Sequence, residues 1–107
     1  MDWKKFINEL KDEAGTLAKD ELIDLIDSAK NDSEIFIKRQ GEKIEKYLKQ
    51  LANGQISKAN FESYIIDIKN LIELHAYKLS VAAKARVQRL ADGITDLILD
   101  KLISLVY

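Results

Sequence analysis

His75 is the only histidine in the chain, so no two histidines can share a metal, and catalysis by it would need an oriented partner. Glu73 stands two positions earlier, on a different face of any helix, which breaks the Glu-x-x-His spacing of di-iron bundles. Ser57, Ser80 and Thr95 have no base arranged near them by any motif. There is no glycine-rich phosphate loop. Without cysteine, neither a disulfide framework nor thiolate ligation is available. Tyr47, Tyr64, Tyr77, Trp3 and Phe36 could line a ligand, yet aromatics at helical spacing more often form core. Gln40 interrupts an apolar row and suits a register-setting role. These residues predict no catalytic, cofactor or metal site, and they mark the chain as non-enzymatic with a structural or solvent-edge His75.

The elements that would position any such group are helical. Steps of three and four dominate the apolar positions from Trp3 to Leu51. A longer period runs beneath them. Trp3, Ala14, Leu25, Phe36 and Tyr47 are each eleven apart, as are Ile7, Ala18, Ala29, Gln40 and Leu51. In the second half Phe61, Ile72, Ala83, Ile94 and Leu105 repeat the spacing, beside Ile65, Ala76, Val87 and Ile98. Eleven residues in three turns make a nearly straight stripe, unlike a heptad zipper.

Asn53-Gly54-Gln55 is the strong turn signal, and no proline kinks either half. Asn53-Gly54 can cap one helix in the left-handed conformation, and Ser57 can begin the next, with Ile56 stapled onto Phe61. The predicted fold is therefore all-α, one domain over 1–107: a helix over 2–53, a turn at 54–56 and a helix over 57–106. This long antiparallel hairpin, with helices of about 50 residues, would assemble into a four-helix bundle. The alternative is a single-chain four-helix bundle with breaks near 31–33, where Asn31 and Glu34 could form a capping box, and near 92–93.

A hairpin centred on Gly54 sets Ala14, Gly15 and Ala18 opposite Ala91, Gly93 and Thr95, and Trp3 opposite Val106 and Tyr107. It also sets the acidic group Asp20, Glu21, Asp24, Asp27, Asp32 and Glu34 against Lys78, Lys84, Arg86 and Arg89. Lys38, Arg39, Lys43, Lys46 and Lys49 alternate with Glu42 and Glu45 at pair-forming spacing. With a formal net charge of −1, nothing draws the chain to nucleic acid.

A lone hairpin cannot cover its own apolar surface, which Ile66, Ile68, Leu71, Leu74, Tyr77, Leu79, Val81, Leu99, Leu102 and Ile103 spread beyond one seam. The expected function is a helical interaction or assembly module. Its surface is expected to comprise Ile68, Leu71, Leu79, Leu97, Leu102 and Leu105, and its partner a second copy or another protein. Attachment to lipid through Trp3 and the Leu97–Leu102–Leu105 face is the alternative. Against that, residues 1–37 hold five basic and ten acidic side chains, a polarity opposed to anionic membranes. The opening residues hold no apolar signal-peptide core and no stretch is long enough to span a bilayer, so a cytoplasmic location is expected.

Overall fold

Asn53 and Gly54 close their helix in the way their residue types demand. The structure, a computed structural model, describes residues 2–106. Gly54 adopts φ +71°, its N–H donates to the Leu51 carbonyl (3.1 Å), and the Gln55 N–H donates to Gln50 (2.8 Å). That is the double bond pattern of a Schellman cap. Ser57 then accepts the Asn60 N–H at 3.0 Å and opens the following helix.

The two 50-residue helices do not form. The element order is α1 (Trp3–Glu9), α2 (Lys19–Lys30), α3 (Ile35–Ala52), α4 (Lys58–His75), a 3₁₀ turn (Ala76–Lys78), α5 (Val81–Gly93), a π-helix (Ile94–Leu102) and α6 (Ile103–Leu105). The last three run on as one rod over 81–105. The longest dimension is 39 Å, where a 50-residue helix would reach roughly 75 Å.

Each additional break has a local cause. At 10–18 the Asp12 carboxylate accepts the Leu17 N–H (2.7 Å), the Thr16 N–H (3.2 Å) and the Thr16 hydroxyl (3.2 Å), while Gly15 takes φ +63°. An aspartate that bonds the backbone ahead of it offers the chain an alternative to helix. The Leu17 bond chiefly holds the Asp12 carboxyl below its ordinary range. Lys19 fastens the loop by donating to the carbonyls of Leu10 (2.7 Å) and Asn8 (3.2 Å).

The break near 31–33 is present, but its cap differs from the expected box. Asp32 accepts the Glu34 N–H (2.8 Å), and Glu34 is itself the N-cap of α3. Leu79 is extended, and Ser80 caps α5 by accepting from Ala83 at 3.2 Å. No break occurs at 92–93, which lies within the rod.

Gly93 serves packing there: a Cβ at that position would run into the Leu25 side chain. It faces Leu25 and not Ala14 and Gly15, which are exposed in the loop. Beyond it the apolar spacing becomes four. Ile94, Ile98 and Leu102 are fully buried, and Asp92, Asp96 and Asp100 form an exposed column. In α-helical turns of about 3.6 residues, side chains four apart drift around the helix. The wider turns of a π-helix hold them in line.

The core joins all the long elements. Trp3 and Ile7 of α1, Leu22 and Ile26 of α2, Ile37, Ile44 and Leu48 of α3, and Phe61, Ile65 and Ile72 of α4 meet Val87, Leu90 and Ile98 of the rod. Val106 packs against this core from its margin, and Tyr107 lies outside the described residues. The second half's eleven-residue rows are mostly core: Phe61, Ile72, Ala83 and Ile94, with Ile65, Val87 and Ile98, are buried, while Leu105 and Ala76 are half-buried against it. Gln40 is buried as well, donating to the Phe36 carbonyl at 3.2 Å, while its Oε1 meets no donor among the described residues. Leaving one amide oxygen unmatched costs about 1–3 kcal/mol.

Candidate interaction surface

Two long-range contacts gather four chain segments at one end of the molecule. Phe36, in the first turn of α3, stacks on His75, the last residue of α4, with ring centroids 4.2 Å apart and planes 5° from parallel. Arg86 of α5 grips Asp32 in the α2–α3 link, Nε at 2.9 Å from Oδ2 and Nη2 at 3.2 Å from Oδ1. The start of α3, the end of α4 and the start of α5 therefore share one pole.

That pole carries the most exposed large apolar side chains among the described residues. Relative exposure is 63% for Ile35, 73% for Leu74, 71% for Tyr77 and 85% for Val81. Lys38, Arg39, Lys78 and Lys84 stand exposed on the same segments, with Glu34 and Glu73 as the nearby acids. Lys78 Nζ lies 5.7 Å from the Tyr77 ring centroid.

The six residues expected to form the surface are not brought together. Ile68, Leu97 and Leu102 belong to the monomer core. Leu79 and Leu105 pack half-buried against it, and Leu71 alone is exposed, at the margin. The extra breaks fold only part of the wide stripe into the monomer core: Ile68, Leu102 and Ile103 are buried and Leu79 and Leu99 half-buried, whereas Ile66, Leu71, Leu74, Tyr77 and Val81 stay exposed. Of the face considered for lipid, Trp3, Leu97 and Leu102 are buried and Leu105 is half-buried. Leu74, Tyr77 and Val81 stood in that stripe unseparated from core positions, and Ile35 carried no signal beyond being apolar next to a helix cap.

The hydroxyls considered for chemistry are engaged with backbone. Ser57 and Ser80 cap helices, and Thr95 Oγ1 donates to Ala91 at 3.3 Å. The aromatic set is dispersed: Trp3 is core, Tyr47 and Tyr64 pack ring to ring at 4.8 Å, and Tyr77 faces solvent. Among the described residues no three His, Cys, Asp or Glu side chains gather as a metal site, and no helix is long and apolar enough to cross a membrane.

The Asp32–Arg86 pair has a measurable signature. The Asp32 side chain is only 9% exposed, and the Arg86 hydrogen bonds hold its carboxyl below the usual range, outweighing the loss of water around it and helped by the Glu34 N–H. A carboxyl depressed in the folded state stabilises above the unfolded aspartate pKa of about 3.9, and that stability is lost as pH falls through the lower folded value. Arg86→Met should therefore unfold at lower urea concentration than the wild type near neutral pH. The gap should narrow as Asp32 becomes protonated. A gap independent of pH would mean that Arg86 acts through packing alone.

Beside this pair, α2 and α5 enclose a groove of about 560 Å³. Leu25, Ala29, Ile37, Leu90 and Leu97 make its floor, and Glu21, Asp24, Asp32, Arg86 and Arg89 its rim. Compared with models of protein families, with curated proteins and with solved structures, the chain matches none.

Proposed function

We propose that this chain is a non-enzymatic docking module of the cytoplasm, which binds a partner protein through the pole formed by Ile35, Leu74, Tyr77 and Val81. The observation that carries the reading is that these are the four most exposed large apolar side chains among the described residues and belong to segments that share one end of the molecule, while Ile66 and Leu71 are exposed to a much smaller degree. Burying a side chain of this size is worth about 1.5–3 kcal/mol, and contiguous exposed apolar patches on soluble proteins commonly mark binding sites. Further support comes from the use of His75 in a ring stack and of both candidate serines as caps.

A photo-crosslinking amino acid placed at Leu74 or Tyr77 tests this in cells. Both positions should give discrete protein adducts, whereas Gln55, in the exposed turn at the other end of α3, should not. No adduct from the pole, or equal yields from Gln55, would overturn the reading.

A further inference from the structure

We infer that the partner of the pole is a second copy of this chain, whose α2–α5 groove receives Leu74, Tyr77 and Val81. The inference rests on the docking reading above and names its partner. Charge decides it. Between the acidic stretch 20–34 and the basic stretch 78–89, Asp32–Arg86 is the one ion pair made among the described residues. Asp27 is taken by Lys4 at 2.8 Å, and Glu34 caps α3.

That leaves Glu21 and Asp24, which line the α2 side of the groove, exposed and in no ion pair among the described residues. Lys78 and Lys84 flank the apolar knob in the same condition. The minority charges match in the same sense, since Arg89 lines the α5 rim and Glu73 stands beside Leu74. The chain thus carries a protruding apolar knob with basic flanks and an apolar-floored groove with an acidic edge, and its own fold does not join them.

The Asp32–Arg86 pair lies in the groove rim and also ties the pole together, so knob and groove are neighbours. Two copies related by a two-fold axis can each place a knob in the other's groove. Such a contact is self-complementary and closes at a dimer. An anionic membrane would meet the same lysines, but it would repel the α2 carboxylates beside them.

Sedimentation equilibrium over a concentration series tests the pairing. The wild type should pass from monomer to dimer and no further. Glu21→Lys with Asp24→Lys, and separately Lys78→Glu with Lys84→Glu, should each weaken dimerisation by roughly a hundredfold through like-charge contact. All four side chains are exposed or nearly so, and unchanged helicity and melting temperature check that the variants fold. Mixing the two variants should restore a dimer close to wild-type affinity, because both knob–groove contacts then join opposite charges. A wild type monomeric throughout, or a mixture no tighter than its components, overturns the proposal. Crosslinks from Leu74 to another protein would then leave the docking reading standing, whereas absence of any adduct would remove both. Flotation of a monomer with vesicles of phosphatidylcholine and phosphatidylserine would overturn self-pairing in favour of lipid.

Discussion

Gly41→Ala is expected to destabilise the protein by about 3 kcal/mol, the upper range for overpacking. A Cβ at this position would lie 2.6 Å from the Lys30 N and 2.8 Å from the Ala29 carbonyl carbon and Cβ. The obstacle is backbone, so relief requires α2 and α3 to move apart as units. That shift would disturb Ile26, Ala29, Ile37 and Ile44, which are buried in the same core. It would also strain the Lys30–Glu45 ion pair between the two helices. Alanine's helix propensity returns only about 1 kcal/mol.

For a domain of this size the melting temperature should fall by on the order of 15 °C. Gly93→Ala is the control. There the added methyl meets only the end of the Leu25 side chain, which can rotate away, so stability should stay within about 1 kcal/mol of wild type. Equal losses at the two glycines would show that backbone contact is not what distinguishes them.

Phe61→Ala should cost about 4 kcal/mol, against a total stability of about 5–15 kcal/mol for a domain. Phe61 is fully buried and sits in the second turn of α4, where its N–H donates to the Ser57 carbonyl at 2.9 Å. Ile56, just before the cap, packs half-buried against the same core, in the positions of a hydrophobic staple. Truncation therefore leaves a cavity and loosens the turn that sets α3 against α4. Phe61→Leu, which keeps most of the volume, should cost about 1 kcal/mol. Urea unfolding of the three proteins reads the series. A loss below about 1 kcal/mol for alanine would mean that the surroundings collapse onto the site and that Phe61 does not hold the turn.

The reversal at 53–57 was legible because its bonds join residues no more than five apart: Gly54 supplies the left-handed cap, Gln55 reaches Gln50, and Ser57 caps the next helix. The break at 31–34 shows in the same local way, through Asn31, Asp32 and Ser33. Ser80 was equally available as a cap, yet the row Phe61, Ile72, Ala83, Ile94 runs through it without losing phase. Eleven residues return to the same helix face, so periodicity alone does not separate one long helix from two that follow each other. At 10–18 the signal was Asp12 followed by Gly15 and Thr16, outweighed by apolar residues on either side.

Helical class, the central turn, its caps and the apolar rows that become core in the second half were determined by the sequence itself, since each follows from spacing and local hydrogen bonding. Which apolar residues would be left over was decided only by the tertiary structure. Leu97 and Leu102 look no different from Leu74 and Val81 along the chain, yet the first two are buried in the core and the others face solvent. Burial belongs to a pair of faces, and the second face is supplied by whichever helix the breaks allow to fold back.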